Sequence, residues 1–355
     1  MKKCGSKNFI FIIYFLTILI KVKNLVKNKN VHNQIPEQET CSSLDCKKEE
    51  KNKPKLYRKA THANKWYTGN PNQLKSELSS YFQQATKHEN YNNLKSIIVP
   101  HAGYYYSGST AAKAFININA NNYNRILIIG PSHHEYFYGC GLSPFDVYKT
   151  PFGDINIDTQ INKNLINNNK NNNLFHILPN YIDENEHSIE MELPFLKMLF
   201  NSAEKNFTII PIIIGEIKNN DFSLIAHNLL EFYKDEKTLF VISSDFCHWG
   251  KNYGYTYIGN KKEEIWKNIE NLDKEALNII SEMSFNELLK YFNKTKNTIC
   301  GRNAILLLLN IIEKYKENQK EKKLLFETLG YKQSNKVKNA DEFSVSYAAV
   351  TNFVF

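Results

Sequence analysis

The chain has 355 residues, 42% of them hydrophobic and 23% charged, which is enough apolar material for a sizeable core and excludes a wholly disordered polymer. Its net charge of +9 is unevenly placed: residues 1–55 hold twelve Lys and five acidic residues, so the other 300 carry 33 basic against 31 acidic groups, a balance of only +2. A nucleic-acid binder carries its basic excess on the folded face, so that class of partner is disfavoured here.

The first feature in chain order is Phe9–Ile20, apolar apart from one Thr and flanked by Lys2, Lys3 and Lys7 and by Lys21, Lys23 and Lys27. Its charge and length suit a secretory signal, whose apolar region runs ~7–15 residues. No small-x-small cleavage site follows, and the run is shorter than the ~20 residues of a spanning helix. A signal or signal-anchor and a plain N-terminal extension both remain open, and any membrane association rests on this segment. A Lys-rich linker follows, so the expected organisation is a leader over 1–55 and one domain over 56–355.

Within that domain, Leu94–Val99, Arg125–Ile129, Phe207–Ile214 and Thr238–Ile242 are short, β-branched apolar runs, two of them stopped by Pro100 and by Gly130-Pro131. Such runs suit strands buried on both faces. Thr110–Ile118, Ser188–Phe200, Phe222–Tyr233, Lys261–Glu282 and Arg302–Glu317 carry apolar residues at spacings of three and four and are expected as helices. Phe343–Phe355 alternates and is expected as a last strand. Asn167–Asn173 is expected as a solvated loop. Alternating strands and helices predict an α/β domain with a mainly parallel sheet between helical layers.

Chemistry follows the strands. Val99 leads into Pro100-His101-Ala102-Gly103-Tyr104, Ile129 into Gly130-Pro131-Ser132-His133-His134, and Ile242 into Ser243-Ser244-Asp245-Phe246-Cys247-His248. Ligands of open α/β sheets bind at the carboxyl ends of strands, so these loops are expected to share one crevice. On extended backbone at most one of His133 and His134 points into it. Cys300, before Gly301-Arg302 and the apolar run Ala304–Ile312, is expected at a helix N-terminus, where the dipole favours a thiolate and hence a metal ligand or redox group.

Each residue also has a plainer reading. His101 could be a hydrogen-bonded structural residue, and Asp245 with His248 a loop-stabilising pair instead of an acid–base or ligand-orienting one. Cys247 reads as a small buried residue. Around Asp183–Glu192 the carboxylates are expected to serve a helix start, with Asp183 or Asn185 as cap, while His187 points into the crevice or packs beneath it. Trp66-Tyr67 and Tyr104–Tyr106 form either an aromatic rim or ordinary core. Among six cysteines, the domain's Cys140, Cys247 and Cys300 make no disulfide framework and no CxxC pair. A Cys300 nucleophile with His248 as base has no hydrolase motif around it.

The segments Thr61-His62-Ala63-Asn64-Lys65-Trp66-Tyr67-Thr68, Pro100–Tyr104, Gly130–His134, Asp183–Met191, Ser243–Gly250, Asn297–Arg302 and Ser344–Ala349, in this order, resemble the Memo family (mediator of cell motility) over roughly residues 56–355. The resemblance implies a fold similar to class III extradiol non-haem iron dioxygenases: a single three-layer α/β domain with a central, mostly parallel mixed sheet. It implies metal ligands at His101, His133 and Cys300 for iron or copper, with Asp245 and His248 as the catalytic polar pair. A cysteine where the dioxygenases use a carboxylate argues against ring cleavage and for another metal-dependent oxidoreductase or metal-handling role. The resemblance further implies an adaptor in receptor signalling and cell motility that binds a phosphotyrosine peptide over the same pocket. Trp66, Tyr106 and His187 then count as ligand-binding residues, alongside the three metal ligands. Asn64 departs from the family's usual Gly at that position. The implied location is cytoplasmic, with a secretory or membrane-anchored route through residues 9–20 as the alternative.

Overall fold

The computed structural model describes residues 54–88 and 93–355. Phe9–Ile20 and its expected signal or anchor role lie outside them. No helix among the described residues is long and apolar enough to cross a membrane.

The first part of the domain runs β1 (Tyr57–Arg58), α1 (Pro71–Gln83), β2 (Leu94–Val99), α2 (Tyr104–Phe115) and β3 (Arg125–Pro131). Smaller pieces follow as β4 (Cys140–Leu142), β5 (Val147–Tyr148), β6 (Ile155–Ile157), α3 (Thr159–Asn168), β7 (Phe175–Ile177), α4 (Asn180–Asn185) and α5 (Leu193–Ser202). Next come β8 (Thr208–Ile214), α6 (Asn219–Lys234), β9 (Thr238–Ser243) and β10 (His248–Trp249). The chain closes with α7 (Ile265–Ser281), α8 (Phe285–Thr295), α9 (Arg302–Asn318), β11 (Leu324–Gln333) and β12 (Ser344–Val354).

The centre of the sheet is parallel in the order β8-β3-β9-β2. Antiparallel β12 pairs with β2, and β11 with β12, on one flank. On the other, parallel β6 and antiparallel β4 share the free edge of β8. The sheet is therefore mixed, with helices on both faces. The apolar runs serve two cores by alternation. Ile98, Leu127, Ile129, Ile210, Phe240 and Ile242 face α6, α7, α8 and α9. Ile97, Val99, Ile126, Ile128, Leu239 and Val241 face α1, α2 and α5.

Helix starts carry local signals. Asn70 caps α1 by accepting from the N–H groups of Asn72 and Gln73, with Pro71 in the first turn. Two expected helix starts move most. Helix α2 begins at Tyr104 instead of Thr110, so Tyr104–Tyr106 form its first turn. The expected helix from Ser188 is a 3-10 turn, Glu190–Glu192, running into α5. Asp183 and Asn185 lie in α4 and cap neither.

Candidate functional site

The parallel geometry brings the carboxyl ends of β2, β3 and β9 side by side, and the loops that follow them meet there. His101, after β2, is 1% exposed. Its backbone N–H donates to Asp245 Oδ1 at 2.9 Å, and its Nδ1 lies 2.7 Å from Ser243 Oγ. Ser243 Oγ also lies 2.6 Å from the carbonyl of Ser188. A carbonyl only accepts, so the serine proton goes there and His101 Nδ1–H donates to the serine. The Nε2 lone pair of His101 is left facing Cys300 Sγ at 3.2 Å.

His133, after β3, is anchored by Glu186. Its N–H donates to Oε2 at 2.6 Å and its Nδ1 to Oε1 at 2.9 Å. Oε1 also accepts the N–H groups of His187 and Ser188, both at 2.9 Å. Burial alone would raise the Glu186 carboxyl, but these donors and the His133 charge hold it down at about 2. Against the opposing effect of burial, Cys300 and Glu186 push His133 up to about 10. With burial the leading cause in both, His101 is held well below the usual imidazole range and His187 at about 3.

Ligand atoms of His101, His133 and His187 all lie within 4.8 Å of one another. His187 also stacks on His133 at a ring-centroid distance of 4.5 Å and lies tilted against Trp66 at 4.3 Å. It joins the cluster to the aromatic rim. His134 is exposed, with its ring 6.1 Å from that of His187.

Cys300 precedes α9, and Gly301 permits its approach: a Cβ there would stand 2.4 Å from Ser244 Cβ. The N–H of Asp245 donates to Cys300 Sγ at 3.3 Å. At Cys300 burial works against the expected thiolate. Burial pushes the Cys300 thiol up and outweighs the pull of His133. Cys247 is fully buried, and burial raises its thiol further still.

Asp245 and His248 line the same cleft, of about 950 Å³, as Trp66, His101, Tyr106, His133 and His187. Cys300 is not on that wall. It opens to a second cavity of about 410 Å³, and His133 lines both. Burial raises the Asp245 carboxyl to about 7 against the N–H donors of His101 and Ala102. His248 Nδ1 meets two carbonyls, Phe246 at 2.9 Å and Thr298 at 3.2 Å. It therefore carries the proton, leaving Nε2 as an acceptor. Trp66 and Tyr106, 38% and 50% exposed, stand on the cleft wall.

The acidic residues of Asp183–Glu192 are not a solvated helix start. Glu190 takes Arg58 Nη1 at 2.7 Å, Tyr67 Oη at 2.9 Å and the His62 N–H at 2.9 Å, while Asp183 takes Arg58 Nε at 2.8 Å. All three carboxylates at 183, 186 and 190 are buried and tie the Thr61–Thr68 loop and His133 to the sheet. Asn64 turns that loop at φ +63°, the left-handed region where Gly is usual, and its Oδ1 accepts the Gly69 N–H at 2.9 Å. Asp273, also buried, accepts from the Cys247 N–H and from Asn297, fastening the Asp245 loop to the segment before Cys300. In the sequence the acidic residues at 186, 190 and 192 interleave with Ile189, Met191 and Leu193, and the structure buries both sets.

Residues 58–351 match the family Memo, described as Memo-like protein. The human Protein MEMO1 is 38% identical over 294 residues, spanning 82% of this chain and 96% of its own. Protein MEMO1 of Xenopus tropicalis is 37% identical over 294 residues, 83% and 96% of the two chains. Protein memo-1 homolog of Caenorhabditis elegans is 36% identical over 298 residues, 84% and 83%.

Proposed function

The chain belongs to the Memo family, and on that premise we propose that His101, His133 and Cys300 hold an iron or copper ion in a redox or metal-handling role. One observation carries the reading. Two imidazoles have Nδ1 tied back, to Ser243 and Glu186, and a cysteine sulfur lies 3.2 Å from Nε2 of the first. Tying back one ring nitrogen fixes the tautomer that presents the other.

The donor types suit the ion, and His187, whose ligand atom lies within 4.8 Å of those of His101 and His133, is a further donor at the cluster. Imidazole suits both metals, and a thiolate suits the softer states of copper and iron–sulfur chemistry. Binding requires Cys300 to lose its proton and His133 its charge, so affinity rises with pH. A bound ion would supply a redox or Lewis-acid centre beside the cleft. Asp245, held at about 7, keeps or releases a proton near neutrality, and His248 Nε2 accepts one. A thiol in place of the dioxygenases' carboxylate weighs against ring opening.

The test is metal content and affinity of purified protein for iron, copper and zinc. Wild type is expected to bind about one ion, with His101→Ala and Cys300→Ala each binding far more weakly. Equal, negligible binding by all three would refute the reading.

The exposed rings of Trp66 and Tyr106 beside the His133 cation favour a second reading, a signalling adaptor that seats a phosphotyrosine peptide in the cleft. Trp66→Ala should then lose peptide affinity with metal content unchanged. A wild type with no measurable affinity for phosphotyrosine peptides would remove it.

A further inference from the structure

Behind the cluster lies a carboxyl group that neither reading uses. Glu192 ends the 3-10 turn before α5, is 0% exposed, and makes no side-chain bond to the N–H groups of that helix. Its Oε1 lies 2.8 Å from Ser243 Oγ. Its Oε2 is buried with no hydrogen-bond partner among the described residues.

Ser243 Oγ thus has three neighbours: Ser188 O at 2.6 Å, His101 Nδ1 at 2.7 Å and Glu192 Oε1 at 2.8 Å. A hydroxyl offers one proton and two lone pairs. The Ser188 carbonyl takes the proton, so His101 and Glu192 must each bring one. The count closes only when Oε1 of Glu192 is protonated. An ionised carboxylate would face lone pair with lone pair and leave a charged Oε2 bare in the interior, which costs far more than a bare carbonyl oxygen. Burial drives the carboxyl well above its usual range, and Asp245 nearby adds to it against the Ser243 contact.

We propose that Glu192 is a positioning residue: as a neutral carboxylic acid it donates to Ser243, fixing that hydroxyl as the acceptor of His101 Nδ1–H and holding the His101 Nε2 lone pair toward Cys300. The role rests on His101 belonging to the ligand cluster, but its first readouts need no metal. It also explains how a fully buried acid is tolerated beside Asp245.

The experiment uses the full chain, stripped of metal, at pH 9, where Asp245 is ionised. Infrared difference spectra of wild type against Glu192→Gln should show a protonated-carboxyl carbonyl band, which the variant lacks. Nitrogen-15 spectra of histidine-labelled protein should show His101 protonated on Nδ1. Glu192→Gln keeps an N–H donor and should leave that signal unchanged. Glu192→Leu removes the donor and should shift it, and Ser243→Ala should do the same if the Leu variant fails to fold. With metal restored, the Leu or Ala variant should bind about 10–100-fold more weakly, as for other groups that orient a ligand, and Gln like wild type. Absence of the band, or an unshifted His101 in the variants without the donor, overturns the proposal. A chain that binds no metal would sink the metal centre alone, because band and ring signal still decide Glu192.

Discussion

Replacing Glu186 by Gln removes one charge from the base of the cluster and should unlock His133. The carboxylate accepts four N–H donors, two of them from His133, and an amide nitrogen there would face donors instead. A buried carboxyl held at about 2, where a free Glu titrates near 4.5, is worth ~3 kcal/mol at neutral pH. The sign follows from the direction. A depressed carboxyl contributes fully above about 4.5, and its share is lost as pH falls through about 2. His133 is raised to about 10, so its contribution is full below about 6.5 and lost as pH rises through 10. Both describe one ion pair, whose joint plateau lies between about pH 4.5 and 6.5. Urea unfolding at pH 6 should therefore show Glu186→Gln destabilised by ~3 kcal/mol, with the loss shrinking towards pH 2. An NMR titration of the metal-free variant should show His133 losing its proton at lower pH than in wild type, with Cys300 left as its other support. A loss under ~0.5 kcal/mol, or an unmoved His133, would refute the argument that Glu186 holds this ring charged.

Asp245→Asn should gain stability relative to wild type as pH rises from about 4 to 7 and hold that gain above it. Burial raises the folded-state carboxyl to about 7, so ionisation costs the native state increasingly from about pH 4 to 7; unfolding at several pH values reads the difference. Arg58→Ala should cost ~3–5 kcal/mol, since Asp183 and Glu190 would stay buried and uncompensated, and the denaturant midpoint checks it. Gly301→Ala should cost ~1–3 kcal/mol through the overlap with Ser244. It should also change the alkylation rate of Cys300, measured by mass spectrometry.

Much of the scaffold was legible because its central strands are unmixed apolar runs with clear stops. Leu94–Val99 lies where its composition puts it, and β3, β8 and β9 start or end within two residues of expectation. β1, β5 and β10 are two residues long, too short for any periodicity, and exist only because a neighbour's edge accepts them. β11 has no clear apolar signature because it is mostly half-exposed or exposed, and its pairing with β12 spans a register shift between Thr328 and Gly330. Helix α8 follows a Ser284 cap that accepts from the Glu287 N–H, a local signal that the sequence carries.

The order of strands, the handover of each to a polar loop, and the identity of the histidines and cysteine are properties of the chain alone. Hydrophobic patterning and turn chemistry act locally, so a sequence displays them. What the tertiary structure decided is which polar groups lose water and to whom they turn. Asp183, Glu186, Glu190 and Glu192 look alike as letters, yet three are charged anchors for Arg58, His133 and the Thr61–Thr68 loop, and the fourth sits against a serine hydroxyl with an oxygen left bare. Burial and partner distance set each protonation state, and both arise from residues up to 132 positions apart that only folding brings together.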